Sequence, residues 1–393
     1  MFSVFLGYIF TQTNVRGTQS VEHALDSLSP CFTARNPEDK ADLACLEREV
    51  NELLSKFPTH AVMSKISAST SPLVVVRNCH LIGHMIGHKT FQRTPSLEDA
   101  YEQCTASCKN SCVHGVTTEA ISQELGESYV AEDLSHADGE TLATIGKRYC
   151  DRQKVLCHSV GHLLRIALKS YQAALPICEQ MGTNKIDCYK GVFMEDAASI
   201  ELTTRGLPDQ TIAQENYVSP CASVPTKYGR QCFWYLHLYQ SSLFEKNGIS
   251  TTAEQLRIFR NACDSLPDQQ RAWCYYGMGG NAYRDRDEDG SPVDIVTFCD
   301  PIIRSVDRTQ CTVGIVRSYF TTVLPRPDRA RTFCEQQANV QLKNTCYETV
   351  FTLESESLAT SSIEALCGPV PSIACTAAFN TYTPPRNPIE SDD

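Results

Sequence analysis

Six of the ten histidines stand in short motifs whose spacing suits metal ligation. The richest run reads Cys79-His80-Leu81-Ile82-Gly83-His84-Met85-Ile86-Gly87-His88, and an echo reads Cys157-His158-Ser159-Val160-Gly161-His162. On a helix, residues four apart drift by about 40° around the axis, so His80, His84 and His88 would share one face. Two histidines at that spacing can ligate one ion. Cys112-Val113-His114-Gly115 follows the first run, and Cys188-Tyr189-Lys190-Gly191 follows the second. The pattern predicts two copies of one unit, with His84 and His162 in equivalent positions and His88 and His114 present in the first copy alone.

An all-imidazole site formed by His80, His84, His88, His114, His158 and His162 suits Zn, Cu or Fe. A b-type haem held by two of these histidines is the other cofactor expectation, since Gly83, Gly87 and Gly161 leave room for a second helix or a flat ring. Cys-x2-Cys-His is absent, which argues against covalent haem. His-Glu-x2-His is also absent, which removes the usual hydrolytic base, and no catalytic residue is assigned. A nearby acid such as Glu119 would strengthen an enzymatic reading. The competing account is structural: the histidines bond to backbone carbonyls, or to each other, within a tightly packed helix pair.

A second candidate is acidic. Asp285, Asp287, Asp289 and Asp294 lie in Asp285-Arg286-Asp287-Glu288-Asp289-Gly290-Ser291-Pro292-Val293-Asp294. The D-x-D-x-D-G spacing resembles the first half of an EF-hand calcium loop. Val296 stands where the closing bidentate acid belongs, leaving Asp294 as its substitute. The plainer expectation is a solvated loop between repeats.

The elements that position these residues are announced by cysteine. The chain has 393 residues and 20 cysteines, with no Cys-x2-Cys pair of the zinc-ribbon kind. Disulfides in an oxidising compartment are the expected use. Six pairs recur in the C-terminal half: Cys178/Cys188, Cys221/Cys232, Cys263/Cys274, Cys299/Cys311, Cys334/Cys346 and Cys367/Cys375. Their first members step by 43, 42, 36, 35 and 33 residues, a period that belongs to helical-hairpin repeats. Each pair clips a polar helix to a following one with apolar residues at helical spacing. If the remaining cysteines also close locally, Cys31–Cys45, Cys104–Cys112 and Cys150–Cys157 pair, and Cys79 joins Cys108.

The expected fold is therefore all-α, a disulfide-stapled helical-hairpin repeat array of solenoid-like form. We divide it into a signal-peptide-like or truncated start (1–20), a histidine-bearing duplicated unit (21–220), C-terminal cysteine-paired repeats (221–380) and a disordered tail (381–393). Glycine follows the second cysteine by three residues at Gly115, Gly191, Gly277 and Gly314. A helix-interior glycine costs about 1 kcal/mol relative to alanine, so its recurrence predicts close approach by a neighbouring helix. Phe233-Trp234-Tyr235-Leu236-His237-Leu238-Tyr239 reads as core.

In period and topology, residues 150–380 resemble the cysteine-rich relatives of the Sel1-like and tetratricopeptide repeat proteins. That likeness implies a curved stack with a concave face for a protein or peptide partner, and no catalysis. The repeats' Ala/Gly/Tyr consensus is missing, so no binding residue is carried over. Cys79, His80, His84 and Gly87, with Cys112, His114 and Gly115, also resemble the motifs of an uncharacterised group of secreted bacterial proteins.

The apolar run Phe2–Phe10 has signal-peptide length, though it lacks a basic start and a small-residue cleavage site. No Asn-x-Ser/Thr acceptor is present, which favours a bacterial envelope. A net charge of -11 without a basic stripe argues against nucleic acid. Walker, dinucleotide and G-x-S-x-G motifs are absent. The expectation is a secreted or periplasmic scaffold for a protein or peptide partner, without a membrane span and with a His-lined metal site. The alternative is a metal- or haem-dependent enzyme.

Overall fold

Why these segments become helices is plain in the first long one. Asp42 caps Leu43–Lys56 by accepting from the Cys45 backbone N–H at 3.0 Å, and Leu46, Val50, Leu53 and Leu54 form its buried stripe. That spacing places one apolar face inward and leaves the rest wet. The computed structural model describes residues 20–33, 40–66, 68, 71–105, 107–126, 138–152, 154–201, 217–249, 251–282, 295–321, 327–357, 367 and 372–381. The apolar N-terminal run, the acidic loop with Asp285, Asp287, Asp289 and Asp294, and the last twelve residues lie outside them.

The described chain is helical apart from turns and one two-residue ladder, in which β1 (Phe32–Thr33) pairs antiparallel with β2 (Lys40–Ala41). In order the helices are α1 (Val21–Leu25), α2 (Leu43–Lys56), α3 (Thr59–Ile66), α4 (Leu73–Arg77), α5 (Cys79–Arg93), α6 (Leu97–Gln103), α7 (Ser107–Glu124), α8 (Gly139–Arg152), α9 (Lys154–Leu168), α10 (Tyr171–Cys178), α11 (Lys185–Glu201), α12 (Thr226–Lys246), α13 (Thr252–Asp264), α14 (Asp268–Ala282), α15 (Ser305–Thr321), α16 (Pro327–Gln336), α17 (Val340–Ser357) and α18 (Ile373–Thr381). The long helices pack in chain order: α5 on α7, then α9, α11, α12, α14, α15, α17 and α18, each touching the next. Apolar burial falls into two clusters. One joins α1–α5 to the start of α7, and the other runs from Phe91 to Ala378.

Ten disulfides hold this order: Cys31–Cys45, Cys79–Cys108, Cys104–Cys112, Cys150–Cys157, Cys178–Cys188, Cys221–Cys232, Cys263–Cys274, Cys299–Cys311, Cys334–Cys346 and Cys367–Cys375. Free cysteines are absent among the described residues. Nine of the bridges close sequence separations of 7 to 14 residues, each clipping a helix to the segment just before it. Cys79–Cys108 spans 29 residues and ties α5 directly to α7. The expected polar helix before the first cysteine is a turn at Cys221 and at Cys299. Cys-driven clipping of this kind belongs to an oxidising compartment.

Glycine decides how closely the long helices approach. A Cβ at Gly87 would fall 2.1 Å from the Cys112 carbonyl, and one at Gly115 would fall 2.1 Å from the His84 carbonyl. The same reciprocal contact recurs at Gly161 with Cys188 (2.1 Å) and at Gly191 with His158 (2.0 Å). It recurs again at Gly279 with Cys311 (2.0 Å) and at Gly314 with Tyr276 (2.1 Å). Helix backbone thus fills the space beside these glycines. Gly161→Ala gains about 1 kcal/mol of helix propensity but drives a methyl into backbone that cannot yield. The clash should win, lowering unfolding free energy in denaturant by about 2 kcal/mol or more; a stability equal to wild type would show that the helices are not in backbone contact.

Candidate metal centre

The glycine contacts align three helix pairs residue by residue. In α5–α7, α9–α11 and α14–α15, His84 matches His158 and Tyr276, and Gly87 matches Gly161 and Gly279. One residue on, His88 matches His162 and Gly280; across the pair, Glu119 matches Glu195 and Ser318. This corrects the cysteine-based register. His84 and His162 are not equivalent, and His88 does have a counterpart in the second copy, namely His162. Cys79 and Cys157 make a poor anchor because they do different work: Cys79 bonds forward into α7, whereas Cys157 bonds back to α8.

Five of the six predicted histidines converge between α5, α7 and α9. Ring centroids of His80 and His84 lie 4.8 Å apart, those of His158 and His162 also 4.8 Å. His114 sits between the pairs, 5.4 Å from His84, 5.8 Å from His80 and 5.0 Å from His158. His84 approaches His162 at 5.9 Å, closing the cluster. His80, His84 and His114 can each aim one ring nitrogen so that all three lie within 4.8 Å of one another. His114 is only 5% exposed, and its Nδ1 has no hydrogen-bond partner.

The hydrogen bonds fix which nitrogens face inward. His80 Nδ1 lies 2.9 Å from the Cys108 carbonyl oxygen, which can only accept, so the proton is on Nδ1 and the Nε2 lone pair is left to the cluster. His162 Nδ1 donates to Glu195 Oε2 at 2.9 Å, with the same result. The two inner pairs then meet through Nε2: His84 to His80 at 3.3 Å and His158 to His162 at 3.1 Å. Burial first, then the neighbouring imidazoles, holds the proton affinities of His84, His114 and His158 well below the ordinary histidine value. These rings are neutral at pH 7, the form that ligates metal.

His88, the sixth, stands apart. Its Nδ1 lies 3.3 Å from Glu119 Oε2 and its Nε2 3.3 Å from Thr118 Oγ1. Met194 stands in place of Thr118 in the second copy, and the matching His162 pairs its Nε2 with His158. Glu119 does not serve the cluster either. Burial pushes its carboxyl up, but hydrogen bonds with His88, Gln92 and Gln123 outweigh that and hold its pKa at about 2. Both carboxylate oxygens are thereby spent on scaffold.

Sequence reasoning missed four contributors: Glu195, Arg165, Asp196 and Tyr239. Glu195 orients His162, and the glycine register would have found it. Arg165, wholly buried one turn after His162, bonds through Nε to Asp196 Oδ1. Tyr239 from α12 donates its hydroxyl to Asp196 Oδ2 at 2.7 Å, joining a third helix to the pair. No local motif marks that triad. Burial raises both the Asp196 carboxyl, against the pull of Arg165, and the Tyr239 hydroxyl.

Fold and site define an all-helical, disulfide-clipped protein with a buried histidine cluster. No family model, curated protein or solved structure matches the chain. Among the described residues, no helix is long and apolar enough to cross a membrane.

Proposed function

We propose that this chain binds a transition-metal ion through His80, His84 and His114. One comparison within the molecule carries the reading. The α14–α15 pair packs through the same reciprocal glycine contacts, yet it has Tyr276, Gly280 and Ser318 where the other pairs have histidine, histidine and glutamate. Helix packing therefore does not require the imidazoles, which weakens the structural account of them. The orphaned, buried His114 Nδ1 supports the same conclusion, because an unpaired buried polar atom is costly unless a ligand satisfies it. With every described cysteine in a disulfide, the donors are nitrogen alone, a set that suits Zn(II) or Cu(II).

The repeated, clipped helix pairs favour a solenoid-like array, and the disulfides favour a secreted or periplasmic address. In this reading the array is a scaffold that carries the metal and presents its flanks to a protein or peptide partner. Oxidised protein titrated with Zn(II) by calorimetry at pH 7 should bind tightly. His114→Ala should weaken that binding at least tenfold with the far-UV circular dichroism unchanged. Equal affinity in the variant would remove His114 from the site, and no uptake by either protein would end the metal reading.

A further inference from the structure

We propose that the cluster seats a second divalent zinc or copper ion on His158 and His162, next to the ion at His80, His84 and His114. The inference rests on the first-site reading and extends it from one ion to two.

Spacing is the first argument. Two nitrogens bound to one tetrahedral ion at about 2.0–2.1 Å lie roughly 3.3–3.4 Å apart. The His80–His84 Nε2 separation is 3.3 Å and the His158–His162 separation is 3.1 Å. Each pair is already set as two ligands of its own ion, and each sits on its own helix, α5 or α9. One imidazole of a pair now donates its Nε2 proton to the other. Moving that proton to Nδ1 of the same neutral ring presents both lone pairs.

Anchoring is the second. One member of each pair is held from behind through Nδ1: His80 by the Cys108 carbonyl at 2.9 Å, His162 by the buried Glu195 carboxylate at 2.9 Å. A carboxylate behind a histidine fixes its tautomer and ring orientation and raises its basicity toward a metal. Position is the third. His114 on α7 lies between the pairs, 5.0 Å from His158 and 5.4 Å from His84, so it can complete either set.

The second site also escapes the packing explanation. Its two positions are Tyr276 and Gly280 in the α14–α15 pair, where the Trp234 side chain lies where a Gly280 Cβ would stand. That pair reaches the same backbone contact without any imidazole. The cluster is thus an elaboration of a common joint.

Native mass spectrometry of the oxidised full chain after equilibration with Zn(II), then removal of loose metal, counts the ions. Two per chain are expected, falling to one in His158→Gln, which leaves the His162–Glu195 pair intact, and in His158→Ala/His162→Ala. One ion in wild type overturns the second site and leaves the first standing. None overturns both. Two ions that survive both variants place the second elsewhere and also overturn the proposal. A measurement without variants guards against misfolding: wild type loaded with Cu(II) should show the half-field electron paramagnetic resonance transition of two nearby spins. Loading by two isolated Cu(II) ions would contradict the shared cluster.

Discussion

Full reduction should abolish the fold. Each disulfide closes a separation of 7 to 29 residues, worth about 2–4 kcal/mol in the chain-entropy model. Ten such closures together exceed the ~5–15 kcal/mol by which folded domains outweigh their unfolded chains. The long helices pack each on the next in chain order, and the bridges are what clip successive segments together. Excess phosphine reductant at 25 °C, followed by thiol capping, should therefore erase most of the 222 nm signal and the cooperative melt. A reduced, fully capped chain that melts within a few degrees of the oxidised one would show that packing, rather than cross-linking, carries the stability.

The second large effect lies at the buried triad beside the histidines. Asp196→Ala should cost about 3–5 kcal/mol, because it strands a guanidinium that no water reaches. Arg165 is 0% exposed, and its two terminal nitrogens make no hydrogen bond, so Asp196 is the compensation for its charge. The same substitution releases the Tyr239 hydroxyl that ties α12 to α11. A double variant, Arg165→Met with Asp196→Ala, should recover a good part of the loss, since it removes the stranded charge and fills its volume. Chemical denaturation of the four-member cycle tests this. A double variant no more stable than Asp196→Ala alone would mean that packing around the arginine stem, and not its charge, sets the cost.

These two outcomes matter for the site because the same helices carry both. Arg165 follows His162 by three residues, and Asp196 follows Glu195 directly. The Arg165–Asp196 bond and the His162–Glu195 bond therefore lock one α9–α11 register twice. Losing the triad should loosen the second histidine pair before the first, which is held independently by the Cys79–Cys108 cross-link.

The histidine register shows where reading a sequence runs out. His80-x2-Gly83-His84, His84-x2-Gly87-His88 and His158-x2-Gly161-His162 are the same five-residue pattern, and the first two share His84, offset from one another by about one helical turn. A shift of four residues turns a helix by only about 40° past a full turn, so either alignment keeps the histidines on one face. Periodicity cannot choose between them. The choice falls to backbone contact, which puts Gly87 and Gly161 against carbonyls of α7 and α11 and leaves Gly83 beside Ser111.

Local chemistry was enough for much of the molecule. Helical spacing of apolar residues, the cysteine rhythm and the glycine three places after the second cysteine are properties of short segments, and they identify the helices, their clips and their tight joints. Convergence of five imidazoles from three helices is not such a property. It depends on which carbonyl meets which glycine, which brings His162 beside His158 while His88 lies against Thr118 and Glu119. Glu195, Arg165, Asp196 and Tyr239 acquire partners 31 to 43 residues away that no window of sequence contains. The composition of the site was written in the chain; its membership was decided by packing, because only the folded backbone sets distances between residues that are far apart in sequence.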